Sequence, residues 1–478
     1  MPSETEVYSS WVGLAYVFNL IVGTGALTLP EGFASAGWFL STVLLVLLCF
    51  ISFVCVTFVI ESIACANATI RWHHIQSHKI DESENEVSES DQDNVNEETA
   101  IMSVNNGRTR RKDYNLNTKV ELCEMSDVFM NKTVRILFYA VLCIYLLGDL
   151  SIYTAALSKT LVDLSCDTSN DTFFNTERCW SNFEFYKIDV YRMYVLLIAL
   201  LIGPFTYFNI QKTKYLQMCT LMMRWTAFVI MISLAVFRIS EYGPQGHPSA
   251  SNIKGIPTLI GSSVYSFMCH HSIPNLIAPF SNKQHISLKM GIDMIMICVF
   301  YILLSITGVF AFQNVQDLYT LNFIPEHANH STFFMNTIYY FLGAFPLFTL
   351  STSFPIIAIT LQNNLKSLVL DRNTTYGFFV RRIFFPTIVI LPPVLISLTT
   401  HDLKKLVEVT GSYPGVFVQY IFPVILAHSA RKFCRRTFGN VENTFASPFK
   451  GNFWFVLVLA WAVVCMGFET YNFIVKYT

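Results

Sequence analysis

The chain has 478 residues, of which 53% are hydrophobic, 15% aromatic and only 14% charged, with a formal net charge of −1. Soluble domains typically carry about 25% charged residues. The deficit, together with repeated apolar runs of about 20 residues, excludes an ordinary soluble protein and points to a chain that crosses a bilayer many times. A balance this close to zero identifies no partner and gives no basis for nucleic-acid binding.

The first ten residues contain no Lys or Arg, and the first apolar stretch, at 10–33, is too long for the apolar region of a signal peptide, so it is expected to stay as a membrane helix. It is interrupted by Gly23-Thr24-Gly25 and also carries Asn19 and Pro30. Glycine loses the most backbone freedom when fixed, and lipid tolerates non-helical backbone only where protein or a watered cavity satisfies its polar groups. We read a discontinuous helix at a binding site, with Asn19, Gly23, Thr24 and Gly25 as candidate substrate contacts. The plainer use of small residues in a membrane is a close helix crossing.

A second span is expected at 37–62. Residues 63–132 then form a polar cytosolic loop containing DESENEVSESDQDNVNEE followed by RTRRK. Such a segment buries too little apolar surface to fold, and its centre is expected to be disordered. Ser83, Ser88 and Ser90 lie among its acids as phosphorylation candidates, with a solvated tether as the simpler reading.

The third span, 133–160, contains Asp149 in LLGDLSIY. A carboxylate at that depth is expensive and marks function by default. A proton relay is the sharp reading and a structural ion pair with Arg224 the plain one. The loop that follows holds Cys166 and Cys179, expected to form a disulfide if it faces an oxidising space, and a glycosylation sequon at Asn170. The other cysteines sit mostly in apolar segments and read as small hydrophobes.

The fourth and fifth spans are expected at 190–210 and 215–238, the latter carrying Arg224. The sixth, 256–280, reads IPTLIGSSVYSFMCHHSIPNLIAPF. Its small polar cluster, followed by Ser272 and Pro274 as cap and first-turn residues, looks like a second helix that stops and restarts. Ser266, Phe267, Met268 and Cys269 are its candidate substrate contacts. His270 is either a proton carrier, since histidine titrates near neutrality, or a neutral core residue. Zinc is not expected, because Cys269, His270 and His271 are adjacent and cannot form a tetrahedral set.

Spans seven to eleven are expected at 289–312, 332–361, 377–399, 405–428 and 451–474. The eighth carries Thr349, Ser351, Thr352 and Ser353, whose hydroxyls are hard ligands suited to sodium, although such hydroxyls often bond back to their own helix. A sequon at Asn329 precedes it, and Glu408 in the tenth is placed near the outer face, solvated. With the N-terminus inside, roughly 22 Lys and Arg fall in inner loops against 9 outside. The N-terminus is therefore assigned to the cytosol and the C-terminus to the outside or lumen. The sequons at Asn67, Asn131 and Asn373 then fall inside and are expected to be silent.

The two interrupted helices stand five spans apart. Five is odd, so the second set of five enters the membrane inverted, and paired interruptions in inverted halves are the best sequence pointer to a transporter's midplane site. The chain divides accordingly: 1–62, helices 1–2; 63–132, the loop; 133–238, helices 3–5; 256–428, helices 6–10; 429–478, a cytosolic loop and helix 11. Half-helix N-termini suit a carboxylate, and freed carbonyls suit a cation or an ammonium group. These residues alone therefore indicate a small zwitterion or anion.

NLIVGTGALTLPEGFASAGW in the first span and YSFMCHHSIPNL in the sixth resemble the amino acid/auxin permease family, and the likeness runs over nearly all the membrane part. The resemblance implies eleven helices, the inverted-repeat leucine-transporter fold, a meeting of helices one and eight at an ion site, and secondary active transport of amino acids coupled to protons or sodium. The expected fold is thus an all-α polytopic membrane protein with an inverted five-plus-five repeat and broken helices 1 and 6. The expected function is symport of small amino acids by alternating access, with an amino-acid sensor on an internal membrane as the alternative. No cofactor is called for beyond sodium as one candidate coupling ion, and no catalytic residue or metal site is assigned. No nucleophile–base set points to an enzyme, and no filter motif to a channel. The expected partners are the bilayer and a small-molecule substrate, and the plasma membrane and lysosome both fit.

Overall fold

Long apolar runs become the helices that dominate the computed structural model, which describes residues 9–86, 114–166, 177–180, 184–207, 214–323, 333–370, 377–439 and 441–477. The helices are α1 Ser10–Ile21, α2 Thr24–Ala36, α3 Trp38–Glu86, α4 Leu122–Phe129, α5 Lys132–Ser165, α6 Lys187–Ile202, α7 Lys214–Tyr242 and α8 Ile256–Ser266. They continue with α9 Ile273–Ile277, α10 Ile286–Ala311, α11 Phe333–Val369, α12 Phe385–Thr399, α13 Leu403–Thr410, α14 Phe422–Phe438 and α15 Asn452–Tyr477.

Among the described residues, eight helices are individually long and apolar enough to span a bilayer, and α1 with α2 forms one more, bent by 53° at its break. The remaining expected positions hold the interrupted pair α8–α9 and the shorter α12, entered through a π-helical turn at Val380–Phe384. The chain is an all-helical polytopic membrane protein. Lipid imposes this, because every backbone polar group must be satisfied inside the segment that carries it. Rows of exposed apolar side chains, such as Val43, Val46 and Phe50 on α3, face outward, as a lipid solvent requires.

Packing repeats across the two halves. The first, second, sixth and seventh spans pack together as one group, and the third, fourth, eighth and ninth as another. The fifth span touches the first, seventh and eighth. The tenth touches the sixth, second and third, which are their counterparts five spans away.

The expected boundaries need correction in three places. The loop assigned to 63–132 is helical at its start, because α3 continues to Glu86 with no Gly or Pro to stop it and Ile63, Ala64, Cys65 and Ala66 are buried in the core. Its end is also docked. Tyr114, Leu116, Val120, Leu122 and Met125 are buried, and α4 starts with a capping box between Glu121 and Glu124. Residues 87–113, the rest of the acidic run among them, lie outside the described residues. The tenth span does not end at 428: two π-helical turns, Gly411–Gly415 and Phe417–Ile421, carry it into α14, so the loop assigned from 429 begins as helix.

Candidate functional site

Both sequence interruptions are real breaks. α1 ends at Ile21, and α2 begins at Thr24 after a break of two residues. α8 ends at Ser266, and α9 begins at Ile273 after a break of six residues. α2 and α8 pack side by side. A Cβ added to Gly25 would lie 2.6 Å from the Ser266 Cα. Gly25 is therefore a crossing point of the two broken helices, the close approach that small residues permit in a membrane. Gly23 is more open, its nearest neighbour being the Tyr153 hydroxyl 4.0 Å from an added Cβ.

A helix end leaves carbonyls without intrahelical partners, and here side chains from other spans supply donors. The Tyr301 hydroxyl on α10 lies 3.0 Å from the Ile21 carbonyl and 3.1 Å from that of Ser266, joining the ends of α1 and α8. Its ring stacks edge-on against Phe267. The Arg224 guanidinium on α7 donates through Nη1 to the carbonyls of Asn19 and Val22, and its Nη2 lies 3.5 Å from Ser353 Oγ on α11. The next residue, Trp225, stacks on Phe18 of α1 with ring centroids 4.5 Å apart, which fixes the register between α7 and α1.

This overturns the expected ion pair: among the described residues Arg224 does not bond Asp149. Asp149, buried on α5, instead accepts from the Tyr265 hydroxyl on α8, and Tyr265 Oη in turn lies 3.1 Å from Thr24 Oγ1 at the first turn of α2. The carboxylate thus connects through one tyrosine to the first break.

The other assigned residues fall as follows. Ser266 bonds back to the Ser262 carbonyl at 2.6 Å. Met268 and Cys269 are buried in the second break, and His270 Nε2 lies 3.2 Å from the Ser52 carbonyl on α3. His271 lies against Tyr145 of α5. Thr349, Ser351, Thr352 and Ser353 all bond to carbonyls of their own helix, and of the four only Ser353 reaches the first break. Cys166 and Cys179 form a disulfide. Asn170 and Asn329 lie outside the described residues. Asn67 is buried, its amide bonded to the carbonyls of Asn115 and Thr118.

Glu408 is not solvated as expected. α8 and the tenth span approach closely at Gly261 and Gly411, where Glu408 is buried and accepts from Thr258 Oγ1. The sequence reading also missed Tyr301, one tyrosine in an apolar helix with no local signal. It missed Asp293, a buried carboxylate on α10 whose isolation in ISLKMGIDMIMIC was such a signal.

The two ends of the first broken helix are tied. Near its start, Lys289 donates to Ser10 Oγ at 3.0 Å, and Ser10 Oγ to the Asn282 carbonyl at 3.3 Å. Close by, Lys283 donates to Asn117 Oδ1 at 2.7 Å, and burial lowers its pKa. Near the end of α2, Glu31 pairs with Lys404 of α13. In the same half, Lys159 pairs with Asp317 at 2.7 Å.

The family model "Transmembrane amino acid transporter protein" matches residues 101–470. Transmembrane protein 104 of Mus musculus is 44% identical over 99% of this chain and 98% of its own. The Drosophila melanogaster homolog of that protein is 44% identical over 97% of both chains. The Dictyostelium discoideum homolog is 32% identical over 100% and 99%.

Proposed function

The chain belongs to the transmembrane amino acid transporter family, and from that premise we propose that it moves small amino acids across a membrane by alternating access around its two helix breaks, driven by a proton that binds Asp149. The observation that carries the reading is the meeting of the ends of α1 and α8 at one hydroxyl, Tyr301. Two half-helix ends and the start of α2 then bracket one place, where a carboxylate suits the start and an ammonium group the ends.

Coupling follows from donor and acceptor roles. While Asp149 is ionised it accepts only, so the Tyr265 hydroxyl must donate its hydrogen bond to it, and Thr24 must donate to Tyr265. A proton on Asp149 removes that demand and frees both hydroxyls to turn. Proton binding on α5 is thereby read at the first turn of α2, beside Gly23. Opening on one side requires release of Glu31 from Lys404, and opening on the other requires release of Ser10 from Lys289 and Asn282. The excess of Lys and Arg in the alternate loops favours a cytosolic N-terminus, and plasma membrane and lysosome both accommodate it.

The test is uptake of labelled amino acids into proteoliposomes under an imposed pH gradient. Wild type is expected to concentrate label until the gradient is collapsed. Asp149→Asn is expected to exchange label without concentrating it. Saturable binding with no flux in either protein would refute transport and favour a sensor.

A further inference from the structure

We propose that Arg224 is a built-in replacement for a coupling cation: its guanidinium occupies the oxygen set at the first break where a sodium ion would otherwise sit, and so makes the protein indifferent to sodium. The oxygens concerned are the carbonyls of Asn19 and Val22 at the end of α1 and the Ser353 hydroxyl of α11. All are uncharged hard donors converging from two helices, the kind of set that holds a small cation. The end of a helix adds partial negative charge. Arginine keeps its charge at every pH a protein meets. Arg224 is 3% exposed, and among the described residues no carboxylate bonds it. Its charge is therefore balanced by carbonyl dipoles, as a bound ion's would be. The stack of Trp225 on Phe18 and the edge contact of Phe228 with Phe345 on α11 hold α7 against both helices, which fixes the backbone from which the guanidinium reaches these oxygens. A second cation brought to these oxygens would meet a fixed like charge at contact distance.

The inference deepens the transport reading and rests on it only for flux; the ion claim is tested without flux. Purified protein is melted in sodium, potassium or choline chloride at equal ionic strength. Wild type is expected to show no sodium-specific rise in melting temperature. Arg224→Ala, with its oxygens uncovered, is expected to gain a saturable rise in sodium that choline does not give. A saturable sodium shift in wild type overturns the proposal, and so does a folded Arg224→Ala that ignores sodium. If that variant folds only in added salt, recovery by sodium supports the proposal, and failure in both sodium and guanidinium chloride overturns it. In proteoliposomes, replacing sodium with choline is expected to leave the initial rate unchanged. Absence of any flux would count against the transport reading alone, because the melting experiment stands without it.

Discussion

The two helix breaks occupy equivalent places in the repeat and are stabilised by opposite means. The first is two residues long, and its carbonyls are covered by a charged side chain reaching over from α7. The second is six residues long and closes largely on itself: Phe267, Met268 and Ser272 donate to the carbonyls of Ser263, Tyr265 and Cys269. The tenth span, counterpart of α7, meets α8 through glycine contacts at Gly261 and Gly411 and not through a cation. The short break closes part of its own backbone, Gly23 and Ala26 donating to the carbonyls of Ile21 and Gly23, and leaves those of Asn19 and Val22 to a distant donor. The long break turns back on itself at three places and buries its side chains. Among the described residues, the repeat thus places a cation over its first break and none over its second.

Removing the cap should separate the two most sharply. Arg224→Met leaves two buried carbonyls uncovered, at about 1–3 kcal/mol each, and should lower the melting temperature far more than His270→Ala at the second break, which gives up one bond to Ser52. Equal losses would show that the breaks are not stabilised differently. Gly25→Ala places a methyl 2.6 Å from the Ser266 Cα, which backbone cannot yield cheaply. A loss of about 1–3 kcal/mol is expected, with little amino-acid flux remaining. Tyr301→Phe keeps the ring against Phe267 and removes the hydroxyl shared by both breaks. It should cost about 1 kcal/mol and slow flux without changing the yield of folded protein. Lys404→Ala removes a half-buried pair with Glu31, for less than about 1 kcal/mol of stability. Its effect should appear as faster labelling of a cysteine at Ser35 by a membrane-impermeant maleimide.

The breaks themselves were legible because glycine and proline punctuate locally: Gly23-Thr24-Gly25, and Ser272 with Pro274. The disulfide was legible because both cysteines share one short polar loop. What joins the breaks was not. Tyr301 lies 280 residues from Ile21 in the chain, and Arg224 lies 202 from Val22. No local pattern encodes a contact that exists only after the spans pack. The same holds for Asp149, whose cost in lipid was evident but whose partner, Tyr265, lies 116 residues away. Glu408 was misplaced because its neighbours Lys404 and Lys405 suggested an aqueous edge, whereas the glycine contact beneath it draws the helix inward.

The most direct test of the central claim is to map where the ligand sits. A photoreactive amino-acid analogue is activated on the reconstituted full chain, and the adducts are located by peptide mass spectrometry. Labelling within residues 16–25 and 263–272, suppressed by excess unlabelled amino acid, is the predicted result. Adducts confined to the cavity of about 850 Å³ beside Lys283 and Lys450, with both breaks unlabelled, would contradict it.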